Sequence, residues 1–277
     1  MNVLDTVTEG LRIARSSKSL WLFGLFVGLG SSGSGGGQGG PPSPSPDGAP
    51  ADGSVMLLIA LVVAAVAIAA LIMRVLSEGA LIEGVKRARR GERLSVGEGF
   101  REGWAHFGTV LLIDVVYLAT TVGSVVLLAA PCLVAAQFID TLPAVLILGV
   151  PAVVIGVPWL VTLYIWQAFA TRIAVLENRR AIDAIRKARL FLHGRLLHGL
   201  KLIVAMLLGT LLVMLVSAIV LVPLGLLVAG FFALGGAPLA VVLGLLLLVP
   251  AVAVLAAIVG TYQSSVWTIG YLTEVEA

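Results

Sequence analysis

Nothing constrains this chain more than its recurring apolar stretches, most of them long enough to cross a bilayer. A hydrocarbon core about 30 Å thick takes about 20 residues of helix. The stretches are Ser19–Gly30, Val55–Leu76, Phe107–Ala130, Leu142–Ala170, Leu200–Gly230 and Ala237–Ile258. Of the 277 residues, 59% are hydrophobic and only 12% are charged, where a soluble domain carries about 25% charged residues. So much apolar surface exceeds what one soluble core can hide, and lipid must cover part of it. In lipid each backbone polar group needs a partner from the protein, so the spans must be helices. The expected fold is an all-α integral membrane protein whose six transmembrane helices form three hairpins. The first stretch is the weak one, with about 17 Å of helix. The fourth and fifth are long, and Pro151, Pro158 and Pro223 are expected to kink them, because proline removes a helix hydrogen bond. Residues 31 to 54, SSGSGGGQGGPPSPSPDGAPADGS, have no means of burying a core and read as a flexible outer connection.

The basic residues orient the spans. All 18 Lys and Arg fall in four places. Arg12, Arg15 and Lys18 precede the first span, and Arg74 ends the second. Lys86, Arg87, Arg89, Arg90, Arg93 and Arg101 follow the second. Arg172, Arg179, Arg180, Arg186, Lys187, Arg189, Arg195 and Lys201 separate the fourth from the fifth. The alternate loops hold only Asp47, Asp52 and Asp140. Basic loops stay in the cytoplasm, which predicts both termini inside. That face carries eighteen bases against eleven acids, a surplus of seven. The N-terminal stretch has a basic region and an apolar run, as a signal peptide does. Asp5 and Glu9 in its charged part favour a retained span.

Three short segments look alike. Val7-Thr-Glu-Gly-Leu-Arg12 matches Val96-Gly-Glu-Gly-Phe-Arg101, and Ala181-Ile-Asp-Ala-Ile-Arg186 follows. Each holds an acid, a small residue, a large apolar residue and an arginine, and each precedes a pair of spans. The chain is therefore expected to be one membrane domain, 1–277, built of three units at about 1–76, 77–170 and 171–277. Each unit is a cytoplasmic amphipathic helix followed by a hairpin. Thr6–Glu9 and Ser95–Glu98 have the spacing of a capping box, which starts a helix. The third copy has Arg180 in that place, so its helix is expected to run on from the fourth span. There Ala181, Ile185, Ala188 and Leu192 form an apolar stripe opposite Arg179, Arg180, Asp183, Arg186 and Lys187. Such a helix lies along a membrane surface or packs under the bundle as an elbow, and the elbow is the favoured reading.

Few residues suggest chemistry. Asp114 sits about 10 Å into the third span. A carboxylate at that depth costs roughly 2.5–3.5 kcal/mol on insertion scales and should face the bundle. It is either a proton or cation site or one end of an interhelix hydrogen bond, to Tyr164, Gln167 or Gln263. The bond is the favoured reading. The run Lys86, Arg87, Arg89, Arg90 is a candidate contact for anionic lipid headgroups, each base contributing about 1 kcal/mol near a charged surface. It equally serves to set topology. His193 and His198 are five apart, not at the i, i+4 spacing of a metal-binding helix, and with His106 they read as interfacial. Gly24–Gly28 and Ala256–Gly260 have the small-xxx-small spacing of close helix packing. The single cysteine, Cys132, excludes an internal disulfide. The chain has no P-loop, G-x-S-x-G or H-E-x-x-H motif and no paired intramembrane carboxylates. No catalytic residue, metal ligand or cofactor is expected. The expected partners are the lipid bilayer, anionic lipids included, and an unidentified membrane protein, but not nucleic acid.

The basic elbow before each hairpin, with VGEGFREGW ahead of the third span and AIDAIRKARLFL ahead of the fifth, resembles a known group. It is similar to the multi-pass membrane domain fused to some bacterial glycerophosphodiester phosphodiesterases and to that domain's uncharacterised stand-alone relatives. The resemblance covers nearly the whole chain. It implies a bacterial inner-membrane location and, with the catalytic domain missing, no hydrolase activity. It transfers no site residues. The function expected is that of a non-catalytic membrane protein, an accessory or scaffold unit contacting anionic lipid. The alternative is a small-solute or ion transporter built on Asp114.

Overall fold

The computed structural model describes residues 3–32, 53–92, 94–138, 142–193, 196–234 and 236–276. These residues are helical almost throughout, with no strand among them. In chain order the helices are α1 (Val3–Ser16), α2 (Lys18–Ser32), α3 (Gly53–Arg89), α4 (Val96–Phe138), α5 (Leu142–Leu176), α6 (Ala181–Leu192), α7 (Leu196–Ala233), α8 (Ala237–Leu243) and α9 (Val249–Glu276). A single π turn, Gly244–Leu248, joins α8 to α9.

Among the described residues five helical segments are long and apolar enough to cross a membrane: α3, α4, α5, α7 and the continuous α8–α9. This is the architecture of a multi-pass membrane protein. The apolar part of α2 spans only Ser19–Gly28, about 15 Å at 1.5 Å per residue. Most of the Gly/Ser/Pro connection, residues 33–52, lies outside the described residues, as do Arg93, Arg195 and Asp140. The connection is shorter than the stretch 31–54 suggests, because α2 includes Ser31 and Ser32 and α3 begins at Gly53. Helix assignment runs unbroken through Pro151, Pro158 and Pro223, and through Pro131 in α4. The last span is interrupted by the π turn.

The chain divides into two compact units, residues 1–105 with 204–277, and residues 106–203. In the first, α2 lies against α3 and α9 while α1 also packs on α9. Ile13, Leu20, Phe23, Ala80, Leu81, Val85, Leu94 and Ile269 form its core, flanked by Val27, Ala88 and Phe100. Phe23 meets Phe100 edge to face at 5.2 Å. This core sits beside the basic residues. Along α3, residues 54–72 are exposed, and burial begins at Val75. On α9, Tyr262, Trp267 and Tyr271 are fully enclosed. The Tyr262 hydroxyl donates 2.6 Å to the Ala205 carbonyl on α7, and Gly209 leaves room for its ring.

The α2–α9 contact is a seam of small residues. A Cβ on Gly28 would strike the Ala256 carbonyl, and one on Gly260 would strike the Gly24 carbonyl. The small-xxx-small spacings of the two helices therefore face each other, backbone against backbone. Trp21 closes the short turn from α1, its indole N–H donating 2.6 Å to the Ala14 carbonyl.

Two expected helix starts differ. Thr6 lies inside α1, which begins at Val3, so the Thr6–Glu9 box does not open a helix. The second box does: Ser95 N–H donates to Glu98 Oε2 at 3.0 Å, and Glu98 N–H returns to Ser95 Oγ at 3.3 Å. That copy of the repeated segment is not a separate helix but the opening turns of α4.

In the second unit α5 and α6 are not continuous, contrary to the expectation from the missing box. Asn178 takes a left-handed φ of 50°, which asparagine tolerates better than most residues. Arg179 N–H then donates 3.1 Å to the Ala174 carbonyl, closing the helix end as a Schellman turn does. The chain restarts at Ala181 without a side-chain cap. Gly91 ends α3 in the same way, with φ 79° and Glu92 N–H donating to the Arg87 carbonyl at 3.0 Å. Ala181, Ala184, Ala188 and Leu192 are the buried residues of α6, which packs against α5. Three residues of the expected stripe, Ala181, Ala188 and Leu192, are thus spent on protein packing together with Ala184, while Ile185 is only half-buried.

Candidate functional site

Asp114 lies on α4, in the sequence Ile113-Asp114-Val115, with its side chain half-buried. The amide Nε2 of Gln167 on α5 donates 2.9 Å to its Oδ1. Of the partners the sequence offered, Gln167 is one the structure supplies. Tyr164, one turn earlier on α5, is 44% exposed. Nearer the far end of α4, the indole N–H of Trp159 donates 3.0 Å to Ser124 Oγ. The partners advance along α4 as they recede along α5, so the two helices run antiparallel.

The chemistry available at this pair is limited. At this contact a carboxylate oxygen accepts and an amide donates, a bond that needs no proton transfer. Nearby hydroxyls turn back on their own helices: Thr120 Oγ1 donates to the Val116 carbonyl at 2.8 Å and Ser124 Oγ to the Thr120 carbonyl at 2.7 Å. Such local bonds hide hydroxyls in an apolar setting.

The basic run at the end of α3 is tied into an ion-pair network. Lys86 Nζ stands 3.0 Å from Glu83, and Arg87 stands 3.6 Å from Glu83 and 3.3 Å from Glu102 on α4. Arg89 stands 3.6 Å from Glu9 on α1. Arg90 is exposed. The i, i+3 and i, i+4 pairs within α3 are legible from spacing. The links to Glu9 and Glu102 are not, because they depend on how the helices pack. Glu98, in the first turn of α4 ahead of the apolar stretch, is held below its ordinary value of 4.5 chiefly by the Ser95 backbone N–H, then by the Ser95 hydroxyl.

In the second unit Lys187 Nζ lies 2.6 Å from Glu177, and Arg179 lies 2.8 Å from the same carboxylate. Arg189 sits over the Trp166 ring, 5.8 Å from its centre. His193 is the C-cap of α6, and its N–H donates 3.2 Å to the Leu190 carbonyl. His106 and His198 are half-buried. Among the described residues no group of three or more His, Cys, Asp or Glu is placed to hold a metal. Cys132 is half-buried, with its thiol 3.9 Å from the Leu128 carbonyl.

Comparison with protein-family models, with curated proteins and with solved structures finds no match to this chain. The class rests on its own helices: a multi-pass, all-helical membrane protein whose intramembrane carboxylate bonds to a neighbouring helix.

Proposed function

We propose that the chain is a non-catalytic, six-span protein of a bacterial inner membrane, with both termini in the cytoplasm, that serves as an accessory or scaffold unit in contact with anionic lipid. On this reading its three repeated units are elbow-plus-hairpin modules, like those of the phosphodiesterase-linked membrane domains it resembles. The observation that carries the proposal is the Asp114–Gln167 bond. The most chemically suggestive residue of the membrane segments is engaged as a strut between two helices. Two further features support it. The ion pairs at the end of α3 link α3 to α1 and α4, and Ala181, Ala184, Ala188 and Leu192 of α6 are buried in the helix that packs on α5. Polar and amphipathic groups alike hold the protein together.

The competing reading is a transporter of a small solute or ion. It draws on the half-burial of Asp114 at hydrocarbon depth, where ionisable residues mark conduction paths. Proton-linked flux across liposomes containing the full chain separates the two. The scaffold reading expects the same background flux from wild type and Asp114→Asn. A pH-dependent flux present in wild type and lost in Asp114→Asn, with stability unchanged, would overturn it in favour of transport.

A further inference from the structure

The three copies of the repeated segment share a burial pattern as well as a sequence pattern. The small residue is buried in each: Gly10, Gly99 and Ala184. Each small residue marks a tight crossing. A Cβ on Gly10 would lie 3.2 Å from the Tyr262 ring, one on Gly99 would press into the Phe23 ring, and Ala184 is fully enclosed. The next residue, Leu11, Phe100 or Ile185, is half-buried. The arginine that follows, Arg12, Arg101 or Arg186, is exposed in all three. The small residue fixes the helix against its neighbour, and two positions on the side chain is turned outward.

None of these three arginines closes an ion pair among the described residues. The neighbouring bases do, since Lys86, Arg87 and Arg89 are matched with Glu83, Glu102 and Glu9. Among the described residues Arg12 and Arg186 thus have no ion-pair partner, and Arg101 has only a longer-range attraction to Glu98, so each side chain remains available to an outside anion. Two of them also have large apolar companions that an aqueous face would not favour. Trp104, one turn after Arg101, is 67% exposed, and Ile182 and Leu190, one turn to either side of Arg186, are 65% and 71% exposed. Cationic and apolar side chains on one helix face suit the boundary between headgroups and acyl chains. Tryptophan in particular settles at that level.

We propose that Arg12, Arg101 and Arg186 are anchors for the phosphates of anionic lipids, one on each repeated segment, with Trp104, Ile182 and Leu190 entering the adjoining acyl boundary. The guanidinium fork matches a phosphate bidentately, as a lysine ammonium does not. The large exposed apolar side chains beside Arg101 and Arg186 favour a lipid surface over an acidic protein face. The inference rests on the membrane orientation proposed above and moves the lipid contact from the run Lys86, Arg87, Arg89, Arg90 to the repeated arginines.

The test uses the full chain in vesicles of equal parts phosphatidylglycerol and phosphatidylcholine. Native mass spectrometry of the released protein reads the ratio of the two lipids it retains. Each of Arg12→Gln, Arg101→Gln and Arg186→Gln should lower the retained phosphatidylglycerol about five-fold, the equivalent of about 1 kcal/mol per basic residue. Each single variant leaves the other basic residues to hold the topology. Leu190→Gln should weaken retention of both lipids alike. The control Lys86→Gln with Arg87→Gln should change the ratio less than any of the three. Unchanged ratios in the three single variants, or a greater loss in the control, would overturn the proposal. The readout is independent of the flux assay: unchanged ratios with no flux would leave the scaffold reading standing and remove only this one.

Discussion

The Asp114–Gln167 bond is suited to a double-mutant cycle in detergent or lipid, using Asp114→Leu, Gln167→Leu and the double variant. The bond is 2.9 Å long between half-buried side chains on adjacent helices. Interhelix hydrogen bonds in membrane proteins average about 0.6 kcal/mol and reach about 1.7. Removing one partner leaves the other amide or carboxyl without this bond in an apolar setting, which adds a penalty of about 1 kcal/mol. Each single variant should therefore lose about 1–2 kcal/mol, and the double variant less than the sum. The coupling should fall near 0.6 kcal/mol. Asp114→Asn should be nearly neutral, because an amide oxygen still accepts from Gln167. The assay is unfolding followed by tryptophan fluorescence or by loss of helical circular dichroism. A coupling indistinguishable from zero, or a large loss in Asp114→Asn, would refute the strut: the first by showing no interaction, the second by showing that the negative charge itself is required.

Two other perturbations probe the described packing. Gly28→Val should disrupt the α2–α9 seam by forcing a side chain into the Ala256 carbonyl, costing about 1–3 kcal/mol as overpacking does; a thermal midpoint equal to wild type would show that the seam is loose. Ser95→Ala should lower the thermal midpoint near neutral pH by removing the cap from α4, and its effect should shrink in acid. The sign follows from Glu98, whose depressed value means that its capping contribution is present above 4.5 and is lost as pH falls through the lower folded value. A midpoint difference that grows in acid would contradict the assignment.

Five of the six apolar stretches fall in helices long and apolar enough to cross a membrane, and the sixth falls on the short α2; they were legible because apolar stretches mark hydrocarbon depth. Helix ends were less so. Val55–Leu76 is only the apolar part of α3, which continues to Arg89 because Val75, Ala80, Leu81 and Val85 keep a buried face among polar residues. The Ser95–Glu98 cap was readable, since capping needs only local spacing. The same spacing misled at Thr6, because α1 had already begun. The break at Asn178 was hidden: a left-handed residue there ends α5 with no glycine or proline to announce it. The π turn at Gly244–Leu248 likewise lies in a run of leucines that carries no local signal. Gln167 was named as a partner for Asp114 because polar residues in apolar spans seek one another. The ion pairs of Arg87 and Arg89 with Glu102 and Glu9 depend on helices meeting in space, and no single-sequence pattern encodes that.

The proposed topology puts every basic segment on the cytoplasmic face and Cys132 near the opposite one. Thiol labelling in intact cells tests this directly. A membrane-impermeant reagent applied outside should label Cys132, aided by mild loosening because the thiol is half-buried. Arg12→Cys and Arg180→Cys, each in a Cys132→Ser background, should stay unlabelled until the inner face is opened; both arginines are exposed, so burial would not protect them. Labelling of either introduced cysteine from outside, or of Cys132 only after opening, would contradict the topology and the elbow arrangement with it.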